Sequence, residues 1–491
     1  MRPTTSPARP AGSPARPAGS VRPARPARTL AAAIVAGTLA AAGGAAADWT
    51  NMGGNAGRNA LSPALGPVEP TVRWSGGAAS LIAWHPVIAG DVVYVVRQSG
   101  FPPDGEPDGS PIIAYDLATG EELWSVDLPY QSGDWTTWIA GVSNGQVYAS
   151  RSGNGASVSD PLVALDAATG AVVWESEALI DAGAYDGVVF AADGDPIVGS
   201  FTTITRIDAE TGDTVWQVSR SCSVSGACGV ALHGDRVYAV DAVPGGHAVR
   251  AFDLATGATG PQGPTMPGFT MQNTPMVAPD GTIHVSRTQN DPAVDFFYAF
   301  ADEGELIREK WSVPAAWTTR AEHGVGPDGS VYMMAPGDEL VRLDPADGTI
   351  LDSTGPLPGF GSPRMVIDAA GRVYLSNGAF PTGRLYAFTA GLDPLWDVAV
   401  TNVNIGGPAL AADGTLVIVG NGTQVIAFEG GGAAGCVGDV DGDGSTGLDD
   451  LVALLAAWGP CGDPCPSDLD GDGSTDLDDL VSLLADWDCG G

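Results

Sequence analysis

Two aspartate-rich stretches near the C-terminus carry the clearest chemical pattern in the sequence. They are DVDGDGSTGLDD (Asp439–Asp450) and DLDGDGSTDLDD (Asp468–Asp479), 29 residues apart and each followed by an apolar run, LVALLAAW or LVSLLADW. A hard divalent cation wants six to eight oxygen ligands, which a twelve-residue loop supplies from positions 1, 3, 5, 7, 9 and 12 around a turn glycine at 6. In the first loop these are Asp439, Asp441, Asp443, Ser445, a water at Gly447, and Asp450, with Gly444 at the turn. In the second they are Asp468, Asp470, Asp472, Ser474, Asp476 and Asp479, around Gly473. Position 12 is Asp instead of Glu in both, so its shorter carboxylate must approach more closely. Carboxylates this crowded repel one another without a cation, so metal uptake should couple to folding, with one calcium per loop.

The elements that hold these loops are unusual. GGGAAGCVG before the first loop cannot form an entering helix, so each unit is loop plus exiting helix. The apolar spacing puts Leu451, Leu454, Leu455 and Trp458 on one face of the first helix. Leu480, Leu483, Leu484 and Trp487 do the same in the second. Residues 436–491 carry 14 Asp and no Glu, Lys or Arg. Their cysteines suggest either Cys436–Cys461 with Cys465–Cys489, or Cys436–Cys489 with Cys461–Cys465. Cys222 and Cys228 lie in one short loop and form a third pair, consistent with an oxidising compartment.

No comparable constellation supports catalysis. Gly141–Val142–Ser143–Asn144–Gly145 matches a nucleophile-elbow string, but it aligns with turns such as APDGT and no helix follows. His85, His233, His247, His284 and His323 show no paired metal spacing, and no phosphate or dinucleotide loop occurs. No residue is assigned a catalytic or cofactor-binding role. One aromatic set could bind a ligand: Trp84–His85, Tyr130, Trp135, Trp138, Phe269, Trp317, Arg320 and Phe360. They sit in the connections between repeats and could stack sugars or grip a peptide. Trp84, Trp138 and Trp317 are the first candidates.

The middle of the chain is periodic. A strand–turn–strand segment recurs eight times, with turn glycines Gly90, Gly145, Gly194, Gly234, Gly281, Gly329, Gly371 and Gly414, about 46 residues apart on average. A second segment follows most copies, as in AYDLATGEELW (Ala114–Trp124), ALDAATGAVVW (Ala164–Trp174) and RIDAETGDTVW (Arg206–Trp216). Asp and Thr cap the turn and Gly supplies positive φ. Each unit is therefore four antiparallel strands, and such units repeating every 40–50 residues predict a β-propeller. The eighth copy lacks its last strand, while an orphan strand stands at Thr71–Gly77 with Trp74 in the tryptophan position. That strand should complete the eighth blade and close the ring.

The formal charge is −36, with 58 Asp+Glu against 22 Lys+Arg. This excludes nucleic acid and anionic membrane surfaces as partners. Arg2, Arg9, Arg16, Arg22, Arg25 and Arg28 precede an apolar run, Leu30–Ala42, and Ala45–Ala47. This reads as a low-complexity extension and export signal (1–47) cleaved near Ala47, with no membrane span.

The Ala-x-Asp-x-x-Thr-Gly-x-x-x-Trp segment resembles the tryptophan-docking repeat of PQQ-like (quinoprotein-like) propellers. The resemblance implies an eight-bladed ring with each Trp packed on the next blade. That family holds quinone-dependent alcohol dehydrogenases and also propellers of outer-membrane protein assembly without a cofactor. Adjacent cysteines and the tryptophan-rich quinone site are absent, so PQQ is not expected. The duplicated loop–helix resembles the dockerin domain of exported proteins, half of an EF-hand in each copy. That implies two calcium ions and a cohesin-like partner, with Leu448–Asp449 and Leu477–Asp478 at the partner-selecting positions. The expected organisation is 48–429 propeller, 430–435 linker and 436–491 dockerin-like module: an all-β eight-bladed ring plus a small helical module. The expected protein is a secreted or cell-surface monomer that binds an extracellular polysaccharide, peptide or protein. A secreted enzyme or accessory protein of polysaccharide catabolism is one alternative, and a quinone-dependent dehydrogenase is another.

Overall fold

A computed structural model describes residues 49–77, 80, 82–98, 100, 109–153, 158–222, 228–267, 274–290, 293–316, 323–359, 363–378, 383–400, 406–420, 425–430, 438, 440, 446–460, 465–469 and 473–487. The expected export signal lies outside them, as do most of the linker, Asp439, Asp441, Asp443, Ser445, Asp470, Asp472, Trp317, Cys436, Cys461 and Cys489.

Eight antiparallel sheets follow one another along the chain. Blade 1 has Val87–Ala89 innermost, then Val92–Gln98, Ile112–Asp116 and Glu122–Val126, with Ile82–Ala83 added to its second strand. Blade 2 runs Thr136–Ser143, Gln146–Ser152, Ser159–Asp166 and Val172–Asp181. Blades 3 to 7 begin at Val188, Ala231, Met276, Gly324 and Arg364 and repeat the order. Blade 8 takes Pro408–Leu410, Leu416–Val419 and Val425–Phe428 from the C-terminal side and Val72–Gly76 from the N-terminal side. Val425–Phe428 pairs antiparallel with Val72–Gly76, and Trp74 stands opposite Ala427. The inner strands of blades 8 and 1 are neighbours, so the ring closes.

The repeat explains the packing between blades. In blade 2 the Asp166 carboxylate accepts from the Thr169 N–H at 2.9 Å and its hydroxyl at 2.7 Å, fixing the turn. Gly170 follows at φ +71°, and a β-carbon there would fall 2.7 Å from the Trp124 ring of blade 1. Glycine is required by the backbone and by the indole together. The Trp124 Nε1 donates to the Ala167 carbonyl at 2.9 Å. Trp74, Trp174, Trp216 and Trp311 repeat this bond to Leu117, Ala209, Leu254 and Pro345.

The helices are Leu448–Ala456 and Leu477–Ala485. Leu454 and Leu483 are buried between the two units. Leu455, Trp458, Leu484 and Trp487 are exposed, so the apolar face of each helix is only partly covered. No described helix is long and apolar enough to cross a membrane.

Candidate functional site

The described parts of the acidic loops are organised around their last carboxylate. Asp450 accepts the N–H of Val440 at 2.8 Å and of Gly447 at 2.7 Å, one on each oxygen. Asp479 repeats this with Leu469 at 2.6 Å and Asp476 at 2.7 Å. Both are buried and stand at the third residue of their helix, where the positive end of the macrodipole favours an anion. In the second loop, Asp468 accepts the Gly473 N–H at 2.9 Å. Asp476 caps its helix through the Asp478 N–H at 3.0 Å. These are the residue types that a hard cation would require. Among the described residues, however, no three acidic, His or Cys side chains gather closely enough to hold a metal. The first-loop ligands Asp439, Asp441, Asp443 and Ser445, and Asp470 and Asp472 of the second, lie outside those residues. Cys222 and Cys228 form a disulfide with Cα atoms 6.0 Å apart. Cys465 is also disulfide-bonded.

The axis of the ring holds a feature that periodicity did not reveal. Each inner strand pairs on one side only, so its other edge presents free N–H and C=O groups to the channel. Residues 49–64 run along these edges. Ile88 of blade 1 donates to the Trp49 carbonyl at 2.8 Å, and Val142 of blade 2 to Thr50 at 2.8 Å. Leu232, Val277, Val325 and Ile367, of blades 4 to 7, donate to Ala56, Gly57, Asn59 and Ala60 at 2.7–2.9 Å. Arg58 completes the circuit in blades 3 and 4: its guanidinium donates to the carbonyls of Asp186, Gly187, Val230 and Met52 at 2.6–2.9 Å. The only sequence signal for this strap was its place before the first repeat, because it works through backbone carbonyls.

The aromatic candidates resolve differently. Trp84 and Trp138 are buried at 1% and 0% exposure, so neither is a surface platform. Both pack against Tyr185, with ring centroids 5.4 and 5.8 Å away. Their large apolar rings fill the junction of blades 1 to 3 in place of solvent-facing positions. Trp317 lies outside the described residues.

Near them is a carboxyl pair. Asp134 and Asp160 are both buried, each 3.8 Å from the Arg151 Nε. Burial first, then the Asp134 charge, pushes the Asp160 carboxyl up to about 6. Asp134 is committed locally, accepting the Gln131 N–H at 2.7 Å. His85, His284 and His323 are held neutral by burial, their pKa lowered to about 3. Ser143 ends an inner strand, and Asn144 and Gly145 turn with φ of 50° and 73°, so the elbow string is a hairpin.

The family model of outer membrane protein assembly factor BamB, a PQQ-like repeat family, matches residues 108–351. No curated protein matches the chain. The quinohemoprotein alcohol dehydrogenase of Comamonas testosteroni is similar in structure, with a TM-score of 0.54 at 16% identity, over 79% of this chain and 81% of that one. BamB from Moraxella catarrhalis, at 16% identity and a TM-score of 0.48, covers 70% of this chain and 94% of its own. Matched repeat, sheet order and the dehydrogenase's likeness agree, and residues 49–429 fold as a PQQ-like eight-bladed β-propeller.

Proposed function

We propose that this is an exported binding or scaffold protein without catalysis. Its propeller recognises an extracellular polymer or protein, and its duplicated C-terminal module docks to a cohesin-like partner once calcium fills both loops. The observation that carries this reading is a repeated apolar stripe. Leu448, Val452, Leu455 and Trp458 are 66%, 57%, 50% and 48% exposed. Leu477, Val481, Leu484 and Trp487, each 29 residues later, are exposed in the same pattern. Bare apolar side chains at about one-turn spacing along both helices and just past their ends favour a partner surface. Leu448–Asp449 and Leu477–Asp478 begin the two stripes, where the resemblance puts partner choice. The calcium ligands would be Asp439, Asp441, Asp443, Ser445 and Asp450, and Asp468, Asp470, Asp472, Ser474, Asp476 and Asp479.

Pull-down from the native secretome with and without calcium tests this reading. The wild-type chain should retain a discrete partner only with calcium. Val452→Asp with Val481→Asp should lose it while keeping the fold. Retention indifferent to calcium and to both substitutions refutes the docking role.

A second reading, a secreted polysaccharide-degrading enzyme, draws on Asp160 and Asp134. Glycosidases need one carboxyl that stays protonated near neutrality. Against it stands the burial of both groups around Arg151, which suits a structural triad. Hydrolysis of a polysaccharide panel that Asp160→Asn abolishes would restore it.

A further inference from the structure

The docking tryptophans leave two gaps, and one of them is open. Tryptophan stands opposite Ala114, Ala164, Ala299, Ala387 and Ala427 in their blades. Blade 6 has Asp352 in that place, opposite Arg342. There the turn of blade 7 sends in Leu392, which is 3% exposed, and Tyr332 of blade 6 bonds the Ala390 carbonyl at 2.8 Å. Blade 4 has Gly260–Pro261 opposite Ala251. Here Arg236 enters the gap without closing it. The receiving glycine of blade 5, Gly304, would meet no atom within 4 Å of an added β-carbon, whereas Gly120, Gly170, Gly212, Gly257 and Gly348 all meet an indole within 2.8 Å.

The result is a cleft of about 480 Å³ on the turn face between blades 4 and 5, within the volume range of small-ligand sites. Arg236 leans into it: its Nη1 lies 2.6 Å from where a β-carbon at Gly260 would sit, and its Nη2 donates to the Gly304 carbonyl at 3.2 Å. Tyr238 is 3% exposed, so its ring belongs to the core beneath the cleft, and its hydroxyl donates to Asp302 at 3.0 Å. Lys310, the chain's one lysine, stands just before Trp311, where other blades have Leu123, Val173, Val215 and Leu395. Its Nζ donates to Thr282 at 3.0 Å, leaving two N–H groups over, and Asp280 lies on the same wall.

We propose that this cleft binds a neutral sugar ring at the end or along the length of a polysaccharide. Asp235, Asp280 and Asp302 face Arg236 and Lys310 in the lining, so cations and carboxylates are interspersed and no single-signed patch calls for an ion. What it offers is a close set of planar and hydroxyl hydrogen-bonding groups, the chemistry that the vicinal hydroxyls of a sugar satisfy. An indole would use a single donor and leave the rest unpaired. The proposal names the polymer of the binding reading above, and rests on that reading for the propeller alone.

The full chain, with calcium, is run in native gels containing soluble xylan, laminarin or hydroxyethyl cellulose. At least one should retard the wild type. Lys310→Leu, which restores the residue type of the other blades, and Asp302→Asn should each weaken retardation tenfold or more with an unchanged melting temperature. No retardation by any of the three polymers, or equal retardation of wild type and Lys310→Leu, overturns the assignment. Calcium-dependent pull-down is read separately, so either role can fail alone.

Discussion

Lowering the pH from 7 to 5 should destabilise the propeller by an amount that three side chains set. His85, His284 and His323 are fully enclosed, and desolvation lowers each from 6.5 to about 3. The folded chain therefore refuses protons that the unfolded chain accepts. Their contribution is complete above pH 6.5 and drains away as the pH falls toward 3. At pH 5, about 1.5 units below the unfolded value, each ring costs about 2 kcal/mol, or about 6 kcal/mol for the set. Asp160 works in the opposite sense. Raised from 3.8 to about 6, it takes a proton in the folded state first, and returns about 1.4 kcal/mol at pH 5. The net loss is about 5 kcal/mol, a large share of an ordinary domain's stability. Guanidinium unfolding at pH 7 and pH 5, with calcium saturating, reads this as a lower midpoint. His284→Phe isolates one ring. The imidazole stacks on Phe297 at 5.4 Å with an interplanar angle of 5°, and its Nδ1 has no hydrogen-bond partner. The variant should fold at pH 7 and lose about a third of the pH dependence, about 2 kcal/mol. Equal midpoints at the two pH values, or an undiminished difference in His284→Phe, refute the reasoning.

A chain lacking residues 49–64 should lose hydrogen-exchange protection at Ile88, Val142, Leu232, Val277, Val325 and Ile367, whose amides the strap accepts. At about 1 kcal/mol per bond the deletion costs about 6 kcal/mol before the lost side-chain packing; unchanged protection would show that water serves these edges equally well. Gly170→Ala puts a β-carbon 2.7 Å from the Trp124 ring at a φ of +71°, and should destabilise by about 1–3 kcal/mol in thermal melts. Chelation should abolish the helical signal of Leu448–Ala456 and Leu477–Ala485 and leave propeller melting nearly unchanged, and retained helicity would argue against the calcium sites.

What could be read in advance was what side chains repeat. The Asp-x-x-Thr-Gly turn and the tryptophan recur because each blade must cap the same hairpin and dock on the same glycine. From that recurrence follow eight sheets, the antiparallel register and the borrowed strand Val72–Gly76. The strap over 49–64 was not legible. It holds the blades through carbonyls, which every residue has, and through Arg58, one of many arginines. The aromatic candidates were ambiguous for another physical reason. A tryptophan in a connecting loop gains as much by filling a junction as by facing a ligand, and for Trp84 and Trp138 burial won. In the C-terminal helices the apolar spacing supports two stripes at once. Leu454 and Leu483 bury inward, while Leu455, Trp458, Leu484 and Trp487 stay outside.

In a repeat this regular, the positions that break the pattern carry more functional information than those that keep it. A docking indole is worth the burial of its ring and a bonded Nε1, so replacing it with glycine and proline leaves a junction that must be repaired or left open. Blade 7 repairs its junction by turning Leu392 inward at φ 65°, a left-handed backbone that a leucine adopts only at some cost. Blade 4 does not. Gly260–Pro261 leaves space that Arg236 only partly enters, and the neighbouring outer strand replaces an aliphatic residue with Lys310. Two departures from the repeat thus meet at one cleft, on adjacent blades, and both raise its polarity. Random decay of a repeat would leave a collapsed or apolar gap as readily as this one. A gap that stays open and is lined with interspersed charges of both signs is better explained by an occupant.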